Sequence, residues 1–81
     1  MSLKTITIYK VYGCDDGGSP ILYAEFLTKE DACSFAVANK GRIHYGLPKV
    51  EMHCYSYDSV KKTVSAQRER LDEKQVRSMA K

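Results

Sequence analysis

The residues with the greatest chemical reach in this 81-residue chain are three cysteines, two histidines and an adjacent pair of aspartates. Cys14, His44, His53 and Cys54 could ligate a soft metal, yet no Cys-x-x-Cys or His-x-x-x-His pair supplies the spacing of a zinc site. His53 and Cys54 are adjacent in an alternating stretch, so they point to opposite faces and do not easily share an ion. Cys14 lies among glycines beside Asp15 and Asp16, whose negative charge raises a thiol pKa and blunts it as a nucleophile. Nothing in the spacing places His44 or His53 beside it as a base. A small enzyme or ligand binder that uses Cys14 and the histidines would need those groups to converge in a pocket. Gly13-x-x-x-Gly17-Gly18 lacks the lysine and the following helix of a phosphate-binding loop. The expectation is therefore no catalytic residue, no cofactor and no metal.

Tyrosines offer a different chemistry. Val50 to Tyr57 reads Val-Glu-Met-His-Cys-Tyr-Ser-Tyr, with Val50, Met52 and Cys54 alternating with Glu51, His53, Tyr55 and Tyr57. A period of two marks a β-strand, with one face fit for a core and the other carrying rings that are apolar in body and polar at the tip. By the same parity, Tyr9 and Tyr23 are expected on that aromatic face. An aromatic sheet surface can stack nucleic-acid bases, usually framed by Lys and Arg, or it can be buried against protein.

The elements that position these rings are legible in order. Thr5–Tyr12 is rich in β-branched and aromatic residues and predicts a strand, with Ile6 and Ile8 on one face and Thr5, Thr7, Tyr9 and Val11 on the other. Lys10 interrupts the isoleucine face, which predicts a departure from the core or a bulge there. Residues 13–20 are turn formers that join it to a second strand, Ile21–Leu27, as an antiparallel hairpin with a long tip. Thr28 predicts a helix N-cap, with Asp31 in capping-box position and Gly41 as the stop. Ala32, Cys33, Phe35 and Ala36 form its narrow inward stripe. Residues 42–49 carry no period and predict a loop, and the Val50–Tyr57 strand follows. From Val60 to about Met79 the good helix formers predict a long final helix capped by Asp58 or Ser59, sparsely apolar and highly polar beyond Ala66. Pairs such as Arg68 with Asp72 and Glu73 with Arg77 would support it.

The fold expected is α+β, in the order ββαβα. It is a mostly antiparallel three-stranded sheet with one helix on a face and a long, partly projecting C-terminal helix. Residues 1–57 form the ββαβ core and 58–81 the final helix, all in a single small domain. Composition fits a folded soluble protein, with 43% hydrophobic and 28% charged residues. No apolar run approaches a membrane span, Met1-Ser2-Leu3-Lys4 lacks the apolar core of a signal peptide, and three dispersed cysteines argue against a disulfide framework. A cytoplasmic setting is expected.

Charge is divided unevenly. Residues 1–57 hold six Lys/Arg and six acids, whereas residues 58–81 hold seven Lys/Arg and four acids, which accounts for the net +3. A pull on an acidic partner is thus expected mainly from the C-terminal segment. The leading expectation is a non-enzymatic protein–protein interaction module, self-associating as a homodimer and acting as a small regulator or inhibitor of a larger partner. Its contacts would be Tyr9, Tyr23, His53, Tyr55, Tyr57, Val64 and Leu71. The alternative is a nucleic-acid-binding accessory protein that uses the tyrosines with Arg42, Lys49, Lys61, Lys62 and Arg68.

Overall fold

The computed structural model describes residues 3–14, 18–42 and 46–80, with only the backbone of Leu3. The order is ββαββα: β1 (Leu3–Cys14), β2 (Pro20–Phe26), α1 (Lys29–Ala38), β3 (Lys49–Asp58), β4 (Thr63–Arg70) and α2 (Glu73–Met79). The sheet has four strands in the order β2-β1-β3-β4, every neighbouring pair antiparallel. The class is α+β, as expected. One strand more is present than the apolar pattern predicts, and the long final helix is absent.

The segment from 60 to 70 departs most from expectation. Asp58 closes a turn, its Oδ1 accepting from the backbone N–H of Val60 at 2.9 Å and of Lys61 at 3.2 Å. Lys62 takes the left-handed conformation, with φ of 58°. The chain reverses there, and β4 returns along β3 in a ladder that runs from Asp58↔Thr63 to Glu51↔Arg70. All eight β4 residues are exposed. With neither face buried, the strand needs no alternation of apolar residues, and backbone pairing with β3 overrides the helix propensity of Ala66, Gln67, Arg68 and Glu69. A helix over the same residues would have had little apolar surface to dock. Only the end of the segment is helical, with Asp72 capping α2: its side chain accepts from Gln75 N at 2.8 Å while Gln75 Oε1 accepts from Asp72 N at 3.1 Å. The expected Glu73–Arg77 ion pair is present at 2.7 Å.

α1 forms as its signals predict. Thr28 Oγ1 accepts from Asp31 N at 3.2 Å, and Gly41 beyond the helix adopts φ of +79°. Ala32, Cys33 and Ala36 are buried and Phe35 is half-buried, its ring 5.4 Å from that of Phe26. Small residues on this stripe let the helix lie close on the sheet.

The core lies on one side of the sheet. Val11, Ala32, Cys33, Ala36, Val50, Leu71 and Val76 are buried together, with Tyr9, Phe26, Phe35, Leu47, Met79 and Ala80 packed around them. The β1–β3 register explains the choice of face: Val11 pairs with Val50, Tyr9 with Met52 and Thr7 with Cys54. These residues point toward the helices. Two expectations are thereby corrected. Tyr9 belongs to the helix side and not to the aromatic face, and Ile6 is 52% exposed on the opposite side. Leu71 is also inside, 6% exposed, its N–H donating to Val50 O at 2.9 Å, so it fills this chain's own core and is not a docking residue. The irregularity anticipated near Lys10 occurs one step later, as a register shift between Val11 and Tyr12.

Both helices pack on the core side, α1 against β1, β2, β3 and α2. The protein measures 17 Å in its shortest dimension, enough for one sheet and one helical layer. Among the described residues, no element covers the other side of the sheet.

Candidate functional site

The uncovered face is assembled by strand pairing, row by row. Successive residues of a strand alternate sides, so one known register fixes the rest. Lys4, Tyr57 and Val64 form one end; next come Ile6, Tyr55 and Ala66, then Ile8, His53 and Arg68, then Lys10, Glu51 and Arg70, and Tyr12 with Lys49 at the far end. β2 adds Glu25 opposite Lys10. The face is apolar at one end and charged at the other.

At the apolar end Ile6 is 52%, Tyr57 40% and Val64 66% exposed. A shallow groove of about 540 Å³ runs between them, lined by Lys4, Thr5, Ile6, Tyr55, Ser56, Tyr57 and Val64. Three neighbouring strands place large apolar side chains in water here, which is the opposite of what folding alone selects.

The centre is a packed aromatic row. His53 stacks on Tyr55 with ring centres 6.4 Å apart and lies 6.5 Å from Tyr12. Its Nε2 is 3.0 Å from Glu51 Oε1, two residues away on the same face. The His53 side chain is only 12% exposed. It holds its neighbours in place and offers little ring surface for stacking.

At the charged end Lys10 Nζ meets Glu25 Oε1 at 3.6 Å and donates to the Tyr55 hydroxyl at 3.5 Å. Desolvation works against the Lys10 charge, but the hydrogen bond to Tyr55 and the charges of Tyr55, Tyr12 and Glu25 outweigh it, so the ammonium keeps its proton above the ordinary lysine range. Both acids on the face are thus engaged, Glu25 with Lys10 and Glu51 with His53. Among the described residues, Lys4, Lys49, Arg68 and Arg70 have no carboxylate within ion-pair distance. The face carries Lys4, Lys10, Lys49, Arg68 and Arg70 against two acids.

The structure brings together His53, Tyr55, Tyr57, Val64, Lys49 and Arg68 from the expected set, with Tyr23 exposed on edge strand β2. It separates the others. Lys61 and Lys62 form the β3–β4 turn, and Arg42 lies in the turn after α1, its N–H donating to Asn39 O at 3.0 Å. Ile6, Lys10, Tyr12 and Arg70 belong to the face although their residue types did not single them out. For the three β1 residues the signal was the pairing of Val11 with Val50, which sets the parity of that strand; Arg70 comes to the face by the pairing of β4 with β3.

The thiol and imidazole groups do not converge where they can be followed. Cys14 lies six residues beyond Ile8, the residue opposite His53, which is roughly 20 Å along an extended strand. Cys54 faces the helices, opposite Thr7, and His44 lies outside the described residues. Cys33 is buried on the inner face of α1, and its burial raises the thiol pKa, with Lys29 pulling the other way. All three thiols are free. Among the described residues no three His, Cys, Asp or Glu side chains gather as a metal site, and no helix is long and apolar enough to cross a membrane. Compared with known proteins, the chain matches no family model, no curated protein and no solved structure.

Proposed function

We propose that this chain is a non-enzymatic protein-interaction module that binds through its uncovered sheet face, as a small regulator or inhibitor of a larger partner. One observation carries the reading: Ile6, Tyr57 and Val64 stand exposed in two adjacent rows of three paired strands, around an apolar groove and beyond the reach of either helix. Leaving such side chains in water forgoes roughly 25 cal/mol for each Å² that could be buried, and a protein partner recovers it. The rigid aromatic row behind the groove supports the same use, since Tyr buries much area at little cost in side-chain freedom. Self-association through this apolar end is the simplest form of the interaction. Static light scattering across a concentration series should then show a mass rising above 9.2 kDa, with Val64→Glu and Ile6→Glu holding the chain monomeric without loss of its fold. A chain that stays monomeric throughout and ignores both substitutions counts against the reading. The three free thiols suit a reducing compartment such as the cytoplasm.

A second reading, single-stranded nucleic-acid binding, is supported by Lys10, Lys49, Arg68 and Arg70 sharing the face with Tyr12 and Tyr55. The shielding of His53 weighs against base stacking at the centre. This reading requires binding to an oligonucleotide that weakens steeply with salt and is lost on Tyr55→Ala.

A further inference from the structure

Strand β4 is the last strand of the sheet, and all eight of its residues are exposed. Its outer edge has no neighbouring strand among the described residues, so its backbone groups there are available to an added strand. On the uncovered face β4 presents Val64, Ala66, Arg68 and Arg70 in succession, and Glu69 points to the other face. The two arginines have no carboxylate partner among the described residues, because Glu51, across from Arg70, is engaged by His53 at 3.0 Å.

We propose that β4 receives an extended segment of a protein partner by antiparallel strand addition, and that this segment is acidic at one end and apolar at the other. The inference rests on the protein-binding reading and names the partner's chemistry. In antiparallel pairing the partner residues opposite Arg70, Arg68, Ala66 and Val64 fall at alternate positions of one short segment. Acids suit the first two positions, an aromatic residue fills the space over Ala66, and a branched apolar residue covers Val64. Charge selects against a second copy of β4 as the occupant. In full antiparallel register Arg70 and Arg68 of one copy would face Val64 and Ala66 of the other, and Glu69 points to the other face, so self-pairing leaves all four arginines without an acid across from them. Charged side chains on both faces of this edge, Arg68 and Arg70 on one and Glu69 on the other, keep it from pairing indiscriminately.

The probe is a synthetic eight-residue peptide with glutamate at positions one and three, phenylalanine at five, valine at seven and threonine at the even positions. Its counterpart carries lysine for both glutamates. Each is titrated into the full chain at low salt and below any onset of self-association, with backbone amide shifts recorded. The acidic peptide should bind about tenfold or more tightly than its counterpart, with the largest shifts along β4. In the doubly substituted Arg68→Glu, Arg70→Glu chain the preference should reverse with the shifts still confined to a dispersed set of β4 amides, a result that an unfolded variant cannot produce. Equal binding of the two peptides, shifts confined to other elements, or no binding by either overturns the proposal. In the last case a light-scattering mass that still responds to Val64→Glu leaves the protein-binding reading standing and removes only this partner. An oligothymidylate that shifts the same β4 amides and displaces the acidic peptide also overturns it, in favour of nucleic acid.

Discussion

The two faces of this sheet are made by the same strands and meet opposite fates. On one face, Val11 and Val50 pair at the centre and are sealed by Ala32, Cys33 and Ala36 of α1 and by Leu71 and Val76. On the other, Ile6, Tyr57 and Val64 are equally suited to burial but remain exposed, and the charged end holds more base than acid. Composition does not separate them, since each face has aliphatic and aromatic residues. The difference lies in what packs on them: among the described residues both helices, of ten and seven residues, lie on one side. A helix-covered face answers to stability and an uncovered one is free to answer to a partner.

That contrast is sharpest under a buried charge. Val50→Asp places an unpaired carboxylate where no water reaches and should cost about 3–5 kcal/mol. A domain of this size has roughly 4–12 kcal/mol in all, so much of its stability would go. Val64→Asp, on the same sheet but 66% exposed, should change stability by no more than about 1 kcal/mol. Urea unfolding of both variants measures the difference. Equal costs would mean that the second face is covered in solution and that the two faces do not differ.

Much of the covered face was legible in the sequence. The Thr28 cap, the small-residue stripe of α1 and the period-two run from Val50 each follow from local chemistry that tertiary packing then reinforces. The uncovered face was legible in part: His53, Tyr55 and Tyr57 were identified on it with Glu51 beside them, but Lys10 and the β4 arginines were not. Arg68 and Arg70 reach the face because β4 is a strand, and β4 is a strand because β3 offers its edge, a long-range effect that no window of Thr63–Arg70 contains. One local sign was present. Asp72 followed by Gln75 is a helix-start pattern, and a helix that begins at Glu73 cannot also run unbroken from Val60. Tyr9 was misplaced for a related reason. Two registers satisfy the alternation of β1, and only pairing of Val11 with Val50 chooses between them.

Titration gives a second way to set the covered face apart. Burial raises the Cys33 thiol pKa, with Lys29 partly opposing it, so the folded chain holds that proton more tightly than the unfolded chain. The associated stability is fully present below the ordinary thiol range and is lost as pH rises through it, because the unfolded chain ionises first. Wild type should therefore lose stability relative to Cys33→Ala between neutral pH and about pH 10, the window in which an ordinary thiol ionises. Urea unfolding of the two proteins at both ends of that window would show it. A difference that stays constant across the window would mean that water reaches Cys33 on the inner face of α1.

The smallest effect lies at the turn that makes the uncovered face four strands wide. Lys62 holds φ of 58°, a conformation in which an L side chain crowds its own backbone at a cost of about 1 kcal/mol. Glycine there has no Cβ to crowd, although it adds freedom to the unfolded chain that offsets part of the gain. Lys62→Gly should therefore stabilise the protein by about 0.5–1 kcal/mol, read as a higher urea midpoint with an unchanged slope. A β-branched residue at the same position should do the reverse, since both its γ branches meet the backbone. Amide exchange along β4 extends the test from the turn to the face. If the hairpin holds Arg68 and Arg70 beside His53 and Glu51, glycine at position 62 should slow exchange on the inward-pairing β4 amides. Exchange that ignores the substitution would place the strength of β4 in its ladder to β3 and not in its turn.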